Sequence, residues 1–196
     1  IKDVSRVITR NRLDGERTVF LGNNSSNDVQ TNVIYHPVQF AKKLTTSAGV
    51  EVSVSESEKI LTFTQKKETD WVLIQSGELN GWKIQFNGIQ KANKSKLLTD
   101  QRFNQNGLTG CITFYKSNFQ NTTIKVVGGV CEDSINIINS TGALKSVSVE
   151  GAFADAIDID FSIINISQIH VNDAGNDCLD VSGGSYQVSN IHLSNC

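Results

Sequence analysis

The sequence predicts an all-β protein in which residues 111–196 form a right-handed parallel β-helix, a solenoid with coils of 22 residues. The segment from residue 131 onward divides without gaps into three repeats of this length. Apolar and polar residues alternate within each repeat, as in strands with one buried face. The chain is also rich in Gly, Asn, Ser, Val and Ile, with one proline and no methionine, which is typical of short strands and tight turns.

Five positions of the repeat hold an apolar residue in every coil. The columns are Ile135, Ile157 and Leu179; Ile137, Ile159 and Val181; Leu144, Ile166 and Val188; Val147, Ile169 and Ile191; and Val149, Val171 and Leu193. Because stacked coils lie about 4.8 Å apart, each column becomes a continuous apolar ladder. We therefore expect these side chains to fill the solenoid interior.

The repeat extends toward the N-terminus with two irregularities. A one-residue adjustment aligns Ile112 with Ile135. An offset of 40 residues then aligns Val72 with Ile112, which indicates one coil that carries an inserted loop. The polar stretch 90–106 has no apolar periodicity, so we assign the insertion to it. The predicted solenoid spans 69–196.

Residues 1–68 do not show the repeat, and we expect them to form an N-terminal cap over the first coil's core and strand edge. Strand-like runs occur at 18–21, 32–35, 50–54 and 60–63, and a short helix is predicted at 37–43. The sequence stops at the last position of a coil, Cys196. We therefore expect the natural protein to continue, or its open coil to self-associate or pack on a further domain.

Charge and hydropathy exclude two classes of partner. The 18 basic and 20 acidic residues give a net charge of -2, so no uniform basic field is present to hold a nucleic acid. No stretch approaches the roughly 20 apolar residues of a membrane span. We expect neither nucleic acid binding nor a membrane span.

The chain has four cysteines, at positions 111, 131, 178 and 196. They fit no tight metal-ligand spacing and are few for a scaffold held by disulfides. We expect small buried side chains, with disulfides as the alternative.

Aspartates recur at one point of the repeat, just before the first strand of each coil: Asp133, Asp155 and Asp177. Three residues later, between two inward apolar positions, come residues that should face outward: Asn136, Asp158 and Asp180. Stacked like charges disfavour joint ionisation, so at least one pKa should rise unless a cation or a hydrogen-bond donor intervenes.

Three roles are open for this aspartate column. Carboxylates on adjacent or alternate coils fall near the separations, roughly 5 to 9.5 Å, of acid/base pairs in glycoside hydrolysis. The candidate catalytic residues are Asp155, Asp177, Asp158 and Asp180. Calcium, which could stabilise charge at a uronate carboxylate in a lyase, is the alternative ligand, and its candidate residues are Asp133, Asp155 and Asp177. Aspartates at a recurring turn can also simply accept backbone N–H bonds.

A second outward column contains His170 and His192, on neighbouring coils. Two such imidazoles could bind a metal, act as bases or lie on a solvated sheet face. Tyr186 could stack on a sugar ring. Together with Asn176, these three are the candidate substrate-binding residues.

The stretches ADAIDID and AGNDCLDVSGGSYQVSNIHLSNC resemble the pectin-hydrolysing polygalacturonases (glycoside hydrolase family 28), which belong to the pectin-lyase-like parallel β-helices. The resemblance covers about 45 residues, 152–196. It implies that the three catalytic aspartates of that family fall on Asp155, Asn176 and Asp177. At Asn176 the family's proton donor is replaced by an amide, which cannot donate a proton in that role. The pattern is also similar to uncharacterised bacterial β-helix repeat proteins.

Two functional hypotheses follow. In the first, a secreted or cell-surface β-helix acts on a polysaccharide as a lyase, epimerase or hydrolase, through the aspartate column and with calcium as a candidate cofactor. In the second, a non-catalytic module binds glycans or builds a surface assembly, and its aspartates serve the turns. The carbohydrate expectation rests on fold-level analogy.

Overall fold

The computed structural model describes residues 33–90, 103–104 and 106–196, and the backbone of two further strands near the N-terminus. The strands are β1 (Val4–Ile8), β2 (Val19–Gly22), β3 (Val33–His36), β4 (Ala41–Ser47), β5 (Glu51–Ser55), β6 (Ile60–Thr64), β7 (Val72–Asn80), β8 (Lys83–Asn87), β9 (Gly110–Tyr115), β10 (Asn118–Val127), β11 (Asp133–Ile138), β12 (Thr141–Glu150), β13 (Asp155–Asn172) and β14 (Asp180–Ser194). Within the described residues there is no helix, and so none long and apolar enough to cross a membrane.

Parallel strands stack into a β-solenoid of about five turns, which confirms the predicted fold class. One sheet contains β7, β9, β11 and the first part of β13, and the other contains β8, β10, β12 and the last part of β13. Residue i pairs with residue i+22 in the last coils, as Ile135 with Ile157 and Val149 with Val171. The 40-residue offset is also confirmed, since Val72 pairs with Ile112.

The predicted apolar columns form the core. Ile135, Ile137, Val147 and their partners in the next coil are at most 1% exposed. Toward the N-terminal end the core contains the buried aromatic side chains of Phe63, Phe86 and Phe114. Because each layer repeats the one below it, burial of these side chains stabilises the whole stack rather than one coil.

Each coil turns between its two sheets at a residue with positive φ. This column consists of Ser76, Lys116, Asn139, Phe161 and Gly183, with φ between 48° and 60°. A serine follows in three coils, and its hydroxyl accepts the backbone N–H of the preceding coil's serine: Ser140 Oγ from Ser117 N and Ser162 Oγ from Ser140 N, both at 3.0 Å. The serine ladder thus satisfies buried donors at a corner where the strand hydrogen bonds are interrupted.

The inserted loop leaves the solenoid after β8 and rejoins it at β9. This is the position that the 40-residue offset between the two coils predicts. Most of the predicted stretch 90–106 lies outside the described residues. The one-residue adjustment also has a location: the turn 128–132 is one residue longer than the corresponding turn 151–154.

The N-terminal end differs from the prediction at one element. The helix expected at 37–43 is wrong, because β4 begins at Ala41 and runs antiparallel to β7. Leu44 is buried there against the core. An isolated helix of seven residues is marginal in water, whereas a strand at this position satisfies the open edge of β7. In addition, β6 stacks parallel on β8, so the parallel stacking begins before residue 69.

The cysteines form two disulfides, which corrects the expectation of unpaired buried side chains. Cys111 is bonded to Cys131 and Cys178 to Cys196, with Cα–Cα distances of 5.4 and 5.5 Å. Their sequence separations are 20 and 18 residues, slightly less than one coil. A chain that completes almost one turn brings such residues side by side.

The last strand leaves its apolar side chains uncovered. Val181, Ile191 and Leu193 are 46, 53 and 41% exposed, although they continue columns that are buried in the preceding coil. The expected self-association or packing of a further domain at this face stays a prediction.

A pair of glycines tests the close stacking of the coils. Gly142 and Gly151 both have positive φ, but a Cβ at Gly142 would lie 2.0 Å from the carbonyl oxygen of Phe119, whereas a Cβ at Gly151 meets nothing within 4 Å. We expect Gly151→Ala to lower the free energy of unfolding by about 1–2 kcal/mol, the cost of left-handed backbone. Gly142→Ala should lower it by at least about 3 kcal/mol, because the neighbouring backbone must also move. Urea unfolding of both variants measures the difference, and equal losses would contradict the described stacking.

Candidate functional site

The acidic edge is the group of polar side chains on the last two coils that the sequence singled out: Asp155, Asp158, Asn176, Asp177 and Asp180. The start of β13 and the segment that leads into β14 place them together. Asp158 and Asp180 pair in register, while Asp155 reaches across to the turn of the next coil. Asn176, Asp177 and Asp180 are exposed, and the other two are half-buried.

The Asp155 carboxylate is engaged by that turn. Its Oδ1 accepts the backbone N–H of Asp177 at 2.9 Å and the side-chain amide of Asn176 at 2.8 Å. The same Asn176 nitrogen lies 3.3 Å from Asp177 Oδ2. Asp155 therefore holds the next coil's turn in place, which is the structural role that aspartates often have at repeated turns.

The column of Asn136, Asp158 and Asp180 has one buried, one half-buried and one exposed member. Asn136 is buried, and its Nδ2 donates to Asp158 Oδ2 at 2.9 Å. Asp158 in turn has Asp180 as its register partner on β14. Adjacent parallel strands lie about 4.8 Å apart, so two carboxylates face solvent at neighbouring positions of one sheet.

Asp133, the first member of the aspartate column, does not belong to this surface. It is 3% exposed, and its backbone N–H donates to the Thr109 carbonyl at 3.2 Å. Burial raises the pKa of the Asp133 carboxyl to about 7, and the charges of Asp155, Glu132 and Asp160 act in the same direction against a hydrogen bond from Thr109. A raised pKa in this column was predicted from stacked like charges, but burial of the Asp133 carboxyl is the larger cause.

The aspartates proposed to bind calcium are therefore divided between a buried position and the exposed edge. Within the part of the chain that the structure describes, no group of three or more His, Cys, Asp or Glu side chains has an arrangement that could hold a metal ion. Calcium binding by Asp133, Asp155 and Asp177 stays a prediction.

His170 and His192 lie away from the acidic edge, on the outer face of the other sheet. Their rings are stacked, with centroids 5.0 Å apart and planes at 6°. They continue the outward column predicted from the sequence, since Ser148 pairs with His170 and His170 with His192. The two imidazoles are exposed, so the pair is accessible to a ligand from solvent.

Tyr186 is placed inside the corner of the last coil. Its hydroxyl accepts the Ser162 N–H at 3.3 Å and lies 3.1 Å from the Ile159 carbonyl and 3.2 Å from the Ser182 carbonyl. It replaces the hydroxyl of the serine ladder, because the next position of that ladder is Gly184. The phenol is half-buried, and burial raises its pKa. A sugar-stacking role for Tyr186 stays a prediction.

Thr113, the outward residue one coil below Asn136, was not singled out from the sequence. Thr113 pairs with Asn136, so a polar column runs from Thr113 through Asn136 and Asp158 to Asp180. The same offsets that align the apolar columns also align these four residues. The burial of Thr113 and Asn136 could not be predicted from the repeat, because outward positions of a sheet are exposed only where nothing covers them.

Comparisons of the chain with protein-family models, curated proteins and solved structures find no match. The assignment of a parallel β-solenoid therefore rests on the strand pairing in the structure.

The raised pKa of Asp133 predicts a dependence of stability on pH in chelator-treated protein. Between pH 4 and pH 7 the unfolded state has released the Asp133 proton and the folded state retains it, so stability falls as the pH rises and is level above pH 7. We expect this loss to amount to about 4 kcal/mol and to be absent in Asp133→Asn. The measurement is the difference in unfolding free energy between the two proteins at pH 4, 5.5 and 7. A constant difference would contradict the prediction.

Proposed function

We propose that this chain binds a polysaccharide along the acidic edge and does not hydrolyse it there. The main observation behind this proposal is that Asp155 Oδ1 already accepts hydrogen bonds from the backbone N–H of Asp177 and the side-chain amide of Asn176. Asn176 itself is an amide and has no acidic proton to transfer. Asp155 and Asn176, two of the three positions to which the resemblance assigns catalytic aspartates, thus hold the turn instead.

Binding is supported by what remains accessible at the edge. Asn176, Asp177 and Asp180 are exposed and Asp158 is half-buried, so amide and carboxylate groups from two coils face one surface. Carboxylates accept hydrogen bonds from sugar hydroxyls, and the Asn amide both donates and accepts. Hydrogen bonds to charged groups are among the stronger ones in proteins. A hydroxyl-rich polymer is therefore the ligand class that fits this edge best.

A secreted or cell-surface location belongs to the same proposal. The two disulfides are typical of proteins that fold in an oxidising environment, where extracellular polysaccharides are also encountered. The local resemblance to polygalacturonases also favours this location, by analogy of fold.

One observation favours cleavage as a second candidate function. Asp158 and Asp180 are direct register partners, and the spacing of neighbouring strands places them near the carboxylate separation of retaining glycosidases, about 5 Å. In that case one would act as nucleophile and the other as acid/base. A lyase or epimerase would use the same pair.

The test measures binding and cleavage together, on a panel of polygalacturonate, alginate and neutral glucans. Binding is followed by calorimetry and cleavage by reducing ends and by the ultraviolet absorbance of unsaturated products. We expect Asp180→Asn to weaken binding about tenfold, the effect of losing a hydrogen bond to a charged group, with no product released by either protein. Glu150→Gln is the matched control, because it removes an exposed carboxylate from the other sheet.

Each outcome decides between the candidates. Binding that weakens in Asp180→Asn but not in Glu150→Gln, without products, supports the proposed function. Products that disappear in Asp180→Asn would establish the second candidate. Absence of binding across the panel by the folded wild-type protein would contradict both.

A further inference from the structure

Four buried side-chain oxygens near the start of β9 and β11 have no hydrogen-bond partner: Thr113 Oγ1, Asp133 Oδ2, Ser134 Oγ and Asn136 Oδ1. These side chains are 0, 3, 1 and 0% exposed. A buried polar atom without a partner costs folding free energy, so it needs an explanation. Thr113, Asp133 and Asn136 are the three whose strand pairing places them near Gly110.

The register of the strands brings these side chains together around Gly110. Thr113 and Asn136 are partners on adjacent strands, and Asp133 pairs with Gly110 in the same ladder. A Cβ on Gly110 would lie 2.6 Å from Thr113 Oγ1 and 2.8 Å from Asn136 Cβ. Because Gly110 has no side chain, Thr113 and Asn136 can closely approach the ladder position at which Asp133 pairs.

The remaining contacts show which atoms of these side chains have a partner and which do not. The Asn136 nitrogen is committed to Asp158, so its oxygen is the atom that is still available. Asp133 has a side-chain hydrogen bond with Thr109, and its Oδ2 is the carboxylate oxygen left over. The charges of Glu132, Asp155 and Asp160 act on Asp133 and make the surrounding potential negative.

We propose that Thr113 Oγ1, Asp133 Oδ2 and Asn136 Oδ1 form a buried binding site for a hard cation, and that calcium is the ion that fits it. Carboxylate, amide and hydroxyl oxygens are hard ligands, which calcium accepts in flexible geometry together with waters. Softer metals such as zinc and copper favour imidazole or thiolate, which this set lacks. The site is distinct from the acidic edge, and it does not depend on the proposed polysaccharide binding.

The cation has a structural role in this account. It links β9 to β11, next to the point where the inserted loop returns to the solenoid at Thr109. A bound cation also compensates the buried carboxylate of Asp133. Binding should therefore stabilise the folded chain.

The test uses the full chain, treated with chelator and dialysed into a choline-based buffer at pH 7. Calcium chloride is titrated by calorimetry, and thermal unfolding is recorded with and without calcium, with magnesium chloride as the comparison ion. We expect one calcium per chain and a rise in Tm of about 5 °C at saturating concentration. Magnesium should have a smaller effect, because it demands octahedral geometry and dehydrates reluctantly.

Three variants make the result specific. Asp133→Asn should abolish calcium binding, and Thr113→Val, which keeps the shape of the side chain, should weaken it at least tenfold. Asp173→Asn is the matched control: it removes the same charge from an exposed residue with a φ of 68°, a conformation that asparagine tolerates. If Asp133→Asn does not fold, Thr113→Val decides the question.

Calcium binding that is lost in Asp133→Asn and retained in Asp173→Asn would support the site. The proposal is overturned if the wild-type protein binds no calcium, or if Thr113→Val binds it as tightly as the wild type. It is also overturned if Asp133→Asn raises the Tm of the calcium-free protein while the wild type ignores calcium, since Asp133 would then be a protonated carboxyl without a cation.

Discussion

In-register stacking of coils is the constraint on which the rest of this structure depends. Within the parallel stack from β7 to β14, each strand bonds to the strand of the neighbouring coil, so a residue at one position of the repeat has its counterpart as a neighbour. For apolar residues this produces continuous ladders in the core. For the corner residues it produces a column of positive φ and a serine ladder. For polar outward residues it places like groups side by side, and their roles then depend on what covers them.

The periodic part of the fold could be predicted from the sequence because the register is a direct copy of the repeat. The offsets of 22 and 40 residues, the apolar columns and the outward histidines all reappear as strand pairs. The aperiodic part could not be predicted in the same way. A seven-residue segment such as 37–43 has no partner in the pattern, and the edge of β7 decided its conformation. The disulfides were not predicted from the sequence. Separations of 20 and 18 residues bring two cysteines side by side only because one coil of the solenoid has about the same length.

The aspartate column shows how one sequence pattern can give three environments. Asp133 is buried, Asp155 is hydrogen-bonded to the turn of the next coil, and Asp177 is exposed. A pattern of identical residues at identical spacing therefore did not specify a single chemical role. The role of Tyr186 within the fold was likewise not specified by the pattern: its hydroxyl completes the serine ladder where the chain has Gly184.

The Asp155 carboxylate holds the turn of the following coil, and the function proposed for the acidic edge depends on this contact. The most direct test is the hydrogen exchange of the Asp177 amide, measured by nuclear magnetic resonance on the folded protein. Asp177 is exposed, so burial alone does not protect its N–H, and the bond to Asp155 does. We expect exchange at least tenfold slower than in an unstructured chain, and fast exchange in Asp155→Ala. Exchange of the wild-type amide at the rate of an unstructured chain would contradict the account and leave Asp155 free for chemistry.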